Sequence, residues 1–385
     1  MSKVGKAMQA AAYGGEQLKA TYQRYERFLP ATAFLAGTLW DVLTLGRIDD
    51  TFNLVQLAVY LAVVAGFLAL DVRELAAPLT PPAWLARWWR FREEVAHFFL
   101  GSLLSAFTIF YLKSSSLLGS LVFYLVIAAC LVGNEFSALR RQGLVMRTVL
   151  FAICFASYLA CVTPLLWGRI GAAPFLTAIF AAAAIGALLM VGARRLAGAE
   201  HARALVKQVA TPFFGTLVLF VVFYVLRVIP PVPLALNDIG IYRSVERVAA
   251  SGGVKGGGYR VTHARPWWRF WQDGEQTFAW RQGERVYVFF SVFSPGGFSE
   301  RLQIRWLYDD PEAGWQASDA VPVAITGGRA EGYRGFAFKQ HMRAGDWRVQ
   351  VETSDGREIG RIAVDVEIDA STAPRDPAEL KATVL

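Results

Sequence analysis

The sequence predicts an α-helical membrane bundle of seven transmembrane helices followed by an all-β, immunoglobulin-like antiparallel sandwich. Three observations carry this reading. Seven apolar stretches recur between residues 28 and 229, each about as long as the ~20 residues that span a bilayer. The loops between them are alternately basic and nearly uncharged. Beyond residue 256 the hydrophobic period changes from that of a helix to the alternation of half-buried strands.

The basic segments orient the chain. Residues 1–27 carry five Lys and Arg, 71–92 four, 134–147 three and 193–210 four, whereas the intervening loops carry one each, Arg47, Lys113 and Arg169. Lys and Arg are retained on the cytoplasmic side. The expected topology therefore has a cytoplasmic N-terminal segment, 1–27, and seven crossings that leave everything after residue 229 outside. Residues 1–229 hold 20 Lys and Arg against 11 Asp and Glu, and residues 230–385 hold 19 against 20. The net charge of +8 thus belongs to the membrane half, where it meets anionic lipid. That placement argues against a nucleic-acid partner and for the lipid bilayer.

The spans are expected at 28–45, 51–70, 95–112, 116–133, 147–166, 173–192 and 212–229, within a transmembrane domain of 28–229. Thr211-Pro212 reads as an N-cap followed by a first-turn proline, Pro174 plays a similar part, and Pro164 reads as a kink or terminus. The first 27 residues are polar and basic and lack a cleavable signal, so the first span is expected to serve as an anchor. The run Phe180–Leu188 is alanine-rich and suits close helix packing.

Polar groups inside lipid each need a reason. Asp41, Arg47 and Lys113 form an expected outer layer, and His97, Asn134 and Glu135 an inner one. His97, Gly101, Ser105 and Thr108 share one helix face by their spacing. With Ser105, these are the candidate intramembrane polar residues. Between the second and third spans, Trp88 and Trp89 crowd with arginines at the cytoplasmic boundary, the pattern of a helix lying on the membrane surface.

Pro230-Pro231-Val232-Pro233 opens a Pro/Gly linker, 230–255, before a β-domain of 256–370 and a polar tail of 371–385. About seven strands are expected, near 257–264, 284–294, 301–308, 320–326, 332–340 and 347–352, with a return at 362–368 after the Asp355-Gly356 hairpin turn. Trp306 and Trp347 fall on inward positions. Trp315 follows an acidic turn and reads as a loop residue. The segment containing Trp267, Trp268, Arg269 and Trp271 mixes aromatic and basic side chains, which fits docking at the membrane interface or, alternatively, an aromatic platform for a glycan. Cys130, Cys154 and Cys161 lie in apolar spans without metal-ligand spacing, and they read as buried hydrophobes. No metal or cofactor is expected.

The pattern Gly-Asp-Trp-Arg-Val-Gln-Val-Glu at 345–352, the turn after it, Gly332-Tyr333-Arg334-Gly335 with Lys339, and Trp306 with Tyr308 resemble an exported bacterial domain of unknown function, family twenty-nine fourteen. That domain often ends a multi-span inner-membrane protein. Trp40-Asp41 through Asp49, Lys113-Ser114 and Asn134-Glu135 are similar to the membrane part of such proteins. The resemblance implies a bacterial inner (cytoplasmic) membrane protein with a periplasmic β-rich domain, and it implies no activity. No nucleophile motif or phosphate loop occurs. The expected function is accordingly non-enzymatic: the periplasmic sandwich binds a glycan or an envelope protein, with Trp315, Tyr333, Arg334 and Lys339 as its candidate surface. The competing readings are a transporter or channel with the β-domain as an outer lid, and a receptor acting through a cytoplasmic partner.

Overall fold

The computed structural model describes residues 48–83, 86–89, 92–114, 122–123, 125–127, 129–130, 143–248, 258–264, 268–272, 274–328, 332–375 and 380–385. Among them are five helical segments long and apolar enough to cross a membrane, followed by a β-rich C-terminal region. The long helices are α1 (Thr51–Glu74), α2 (Arg92–Lys113), α3 (Leu144–Trp167), α4 (Ala172–Ala197) and α5 (Thr211–Val225). The first expected span, 28–45, and most of the fourth, 116–133, lie outside the described residues.

Local chemistry sets several helix boundaries. Asp50 caps α1 by accepting a 3.0 Å hydrogen bond from the Phe52 N–H, which satisfies one of the donors a helix start leaves open. Gly168 follows α3 with φ +66°, the left-handed conformation that glycine adopts without a Cβ penalty.

Of the proline expectations, termination at Pro164 and a cap at Thr211 are not met. Pro164 lies inside α3, which continues to Trp167. Thr211 does not cap α5, because its φ and ψ are helical and a π-helical turn, Val206–Ala210, leads straight into it. Pro212 lacks an N–H and its ring crowds the preceding turn. A widened turn accommodates both without ending the helix, so the apolar segment runs through Ala199–Val225.

By internal contacts the chain forms two units. The first comprises Met1–Ile109, Val126–Phe155 and Gly186–Thr216. Within it, Arg147 meets Asp71 at 2.9 Å and Glu93 at 3.8 Å, while Arg92 pairs with Glu74. The second comprises Phe110–Leu125, Ala156–Ile185 and Leu217–Leu385, and it contains all the strands.

Those strands are β1 (Ala235–Tyr242), β2 (Ser244–Val248), β3 (Gly258–His263), β4 (Thr277–Trp280), β5 (Val286–Phe293), β6 (Ser299–Asp310), β7 (Gly314–Thr326), β8 (Tyr333–Lys339), β9 (Gly345–Thr353), β10 (Glu358–Ile368) and β11 (Lys381–Val384). They form three sheets, ordered β1-β5-β8, β4-β10-β9-β6-β7 and β11-β3-β2. Pairing is antiparallel except for β4 with β10, which is parallel, so the purely antiparallel expectation is corrected there. The expected linker, 230–255, contains β1 and β2, and the expected polar tail contains β11. The proline run hides β1 from a pattern search, although Ile239 and Ile241 supply its inward side chains. β11 is exposed throughout, so it carries no alternation to read, and only its pairing with β3 defines it as a strand.

The first two sheets share one core. Ile241, Val288, Phe290 and Val292 from the three-stranded sheet meet Ile304, Trp306, Trp347, Val349 and Val364 from the five-stranded one, all nearly inaccessible. Burial of this area, at ~25 cal/mol per Å², is the main stabilising term. Tyr242, Val245, Val261 and Phe289 form a smaller core that joins the third sheet to the outer face of β1 and β5.

Candidate functional site

Strand alternation that buries Trp347 and Val349 must turn Arg348 outward. On this outer face of the five-stranded sheet, Arg348 stands opposite Leu307 and Ala363, and Gln350 stands opposite Arg305 and Arg361. Arg305 pairs with Glu352 at 2.9 Å and Arg361 with Glu358 at 2.6 Å. Arg348 instead lies over the Trp315 ring, 3.9 Å from its centroid. Among the described residues no carboxylate forms an ion pair with it. Burial, together with the neighbouring Arg361 charge, holds Arg348 below the ordinary arginine value.

Stacking occupies the face of a guanidinium and leaves its in-plane N–H donors open. Trp315 is 38% exposed. The pair therefore presents an indole ring and a fork of donors on one surface, beside Gln350, whose amide donates to Glu358 at 3.2 Å. Such a surface can stack on a flat apolar face and hydrogen-bond hydroxyl or carboxylate oxygens. Trp315 was expected on a loop. It lies instead on β7, opposite Asp309.

The other expected surface residues are distributed differently. The Lys339 ammonium reaches Ser318 at 2.9 Å, pairs with Asp319, and sits over the Trp347 ring. A register shift between Trp306 and Leu307 pairs Asp319 with the inward Trp306 and Trp315 with Asp309, so Lys339 lies on the other face of β7 from Trp315. Tyr333 packs against the shared core. Arg334, the next residue, faces the opposite side of β8, where its guanidinium donates to the Leu385 carbonyl at 3.4 Å. Strand alternation separates these two, although they are adjacent in sequence.

Trp268, Phe270 and Trp271 are exposed, with Arg269 over the Trp268 ring, and Trp267 lies outside the described residues. Arg92 covers Trp89 at 5.0 Å, and the Trp88 side chain is outside the described set. So are Asp41, Arg47, Asn134 and Glu135. His97 and Ser105 are buried on α2 and Lys113 is exposed at its end. The Thr108 hydroxyl is used within the helix, donating to the Leu104 carbonyl at 2.7 Å.

Two clusters escaped the sequence reading. Arg357, in the β9–β10 turn, lies 3.6 Å from the Tyr224 ring centroid, and that ring stacks on Phe175 at 3.8 Å. Arg357 also donates to the Tyr224 and Ile229 carbonyls, at 3.0 and 3.3 Å. Nearby, the Glu300 carboxylate accepts the Ile170 N–H. Burial raises the Glu300 pKa, opposed by that hydrogen bond and by Arg169. The second cluster ties down the C-terminal segment: Arg375 donates to Glu284 and Arg281 to Asp369, beside the buried Arg243–Glu275 pair. Partners 91 and 88 residues apart in sequence leave no local signal, and the register of neighbouring strands alone could have suggested them.

The fold and the site together define a membrane-associated helical protein carrying a β-rich domain with an exposed aromatic–arginine surface. Residues 299–366, from β6 into β10, match the family described as "Protein of unknown function (DUF2914)". Glu300, Trp315, Arg348 and Arg357 all fall within that match. No curated protein matches the chain.

Solved structures similar to part of it include a β-glucosidase from Listeria innocua in complex with glucose, at 15% identity over 24% of this chain and 15% of that one, with a TM-score of 0.19. An immunoglobulin-like protein from Pseudomonas aeruginosa is 12% identical over 34% of this chain and 97% of that one, with a TM-score of 0.18. A β-glucosidase from Kluyveromyces marxianus is 15% identical over 22% and 13%, with a TM-score of 0.17. The chain spans less than a sixth of either glucosidase. Likenesses this partial carry no inference about fold or activity.

Proposed function

We propose that the chain is a non-enzymatic bacterial envelope protein whose immunoglobulin-like sandwich binds a glycan or protein partner in the periplasm. Its seven helices, completed by the spans at 28–45 and 116–133, cross the inner membrane with the N-terminus in the cytoplasm. The observation that supports binding is the Trp315–Arg348 stack. Among the described residues its guanidinium forms no ion pair, whereas the arginines beside it on the same face are matched to carboxylates.

The test uses the full chain in detergent, presented to arrays of bacterial envelope glycans and to immobilised periplasmic proteins. Trp315→Ala and Arg348→Ala should each weaken the retained ligand by about 2 kcal/mol, or roughly 30-fold, as expected of a central anchor. A ligand indifferent to both substitutions, or none retained on either array, would sink the proposal. A reporter active only in the periplasm, fused after Leu385 and separately after Arg27, checks the topology: the first fusion should be active and the second silent.

A further inference from the structure

Within the first unit, α1, α3, α4 and α5 line a partly open apolar slot of about 230 Å³. Its walls include Ala65, Ala69, Gly186 and Gly192, whose small side chains open the space, and the rings of Phe151 and Phe213. Its hydroxyl, that of Thr148, is already committed to the Leu144 carbonyl at 2.7 Å. The slot therefore offers a guest no polar partner. In water such a space stays dry, and within a bilayer it faces hydrocarbon.

The lining follows α4 through Ala193 and Leu196, past the exposed Arg194 and Arg195 at the helix end. Arg203 and Lys207 follow on the short turns toward α5, both exposed, and the stretch 194–207 holds one carboxylate, Glu200. At ~1.5 Å per residue, Gly186 lies about 12 Å along the helix from Arg194. That spacing is on the scale separating a lipid phosphate from the middle of its acyl chain. Of the other arginines of this unit, Arg147 is already paired with Asp71 and Arg92 with Glu74.

We propose that this slot is a binding site for an anionic phospholipid of the membrane. One acyl chain lies between α1 and α4, and the phosphate meets Arg194, Arg195 and Lys207. Basic pockets between transmembrane helices recognise anionic headgroups by the same combination of charge and apolar depth.

Glycine supplies the test. A Cβ at Gly192 would meet nothing within 4 Å, and the same holds at Gly66, which does not line the slot. Gly192→Leu should fill the slot without a clash, and Gly66→Leu is its control. The full chain is reconstituted in vesicles of equal phosphatidylglycerol and phosphatidylcholine and re-extracted in mild detergent, and its bound phospholipid is counted by native mass spectrometry. Wild type should retain phosphatidylglycerol over phosphatidylcholine by about tenfold, the effect of a few charge contacts. Gly192→Leu should lose that lipid and Gly66→Leu should keep it. Ala69→Leu, on the facing wall, repeats the experiment should Gly192→Leu fold poorly by thermal melting. The Arg194→Gln/Arg195→Gln double variant should lose the headgroup preference. Equal retention of the two lipids overturns the proposal. So does equal retention by the slot-filling and control variants, the result expected if another segment of the chain or a second copy occupies the slot.

Discussion

The guanidinium of Arg357 lies over the ring of Tyr224, its carbon 3.6 Å from the centroid, so the β9–β10 turn is fastened to the end of α5. Two backbone carbonyls, those of Tyr224 and Ile229, complete the attachment, and Asp355 accepts from the same side chain at 2.9 Å. Arg357→Ala removes all of these and leaves Asp355 without its cation. A loss of about 2–3 kcal/mol is expected. Arg357→Lys should recover only part of it, because an ammonium cannot stack and fork together. Denaturant or thermal melts of the full chain in detergent measure both variants.

Glu300 makes the second attachment. Because burial raises its pKa, the folded protein favours the protonated form. The stability it adds is therefore fullest below the unfolded carboxylate value and falls as pH rises through the folded one. Glu300→Gln keeps an acceptor for the Ile170 N–H without a buried charge, so it should match or exceed wild type at pH 8 and flatten the pH dependence. Glu300→Ala should cost about 1–2 kcal/mol at pH 5 and less at pH 8, where the wild type must hold a buried charge. Melting temperatures across pH 5–8 distinguish these outcomes.

The C-terminal attachment responds to acid in the opposite sense. Burial pushes Glu284 up, but hydrogen bonds from Arg375 and the Arg281 N–H outweigh it and hold the carboxyl below its ordinary value. Asp369 is held low by Arg281 and the Ser371 N–H. Groups with depressed folded values stabilise above their unfolded pKa, and that contribution is lost as pH falls through the folded one. Hydrogen exchange at β11 should therefore quicken below about pH 4, the carboxylate range, ahead of exchange in β6 and β9. Arg375→Ala should give the same pattern at neutral pH.

In the first unit, Asp71 and Arg147 form an ion pair with side chains only 9% and 11% exposed. Removing one partner strands the other charge, so Arg147→Ala should cost about 3–5 kcal/mol. The double substitution Asp71→Leu/Arg147→Met should recover most of that. If the double variant is no more stable than the single one, the pair is not an isolated electrostatic unit. Thermal melts in detergent decide this.

Gly274 has φ +74°, and a Cβ there would sit 2.1 Å from the Ile241 carbonyl oxygen. Gly274→Ala should therefore break the bridge to β1 and cost about 2 kcal/mol. Increased proteolysis between residues 264 and 276 is the readout.

The apolar lengths of α1 through α5 and the alternation in β5, β6, β9 and β10 were legible because each is a one-dimensional pattern. Residues three or four apart share a helix face, and residues two apart share a strand face. The same rule correctly sent Trp306 and Trp347 inward. It failed where the pattern was short or interrupted. β1 follows a proline run, β4 has four residues and pairs in parallel, and Thr211-Pro212 resembles a helix start that a π-turn overrides.

Of the expected binding surface, Trp315 remained exposed and acquired Arg348 as its partner. Tyr333 and Arg334 separated onto opposite faces of β8, and Lys339 was drawn to Asp319. By itself the sequence determined which segments are apolar, which alternate, and how basic charge is distributed along the chain. Only the tertiary structure decided which charges are neutralised. Arg357 meets Tyr224 across 133 residues and Arg305 meets Glu352 across 47, and both distances are set by sheet register and chain return. Hydrophobic periodicity is a local property of the chain, whereas an ion pair depends on where two distant segments come to rest.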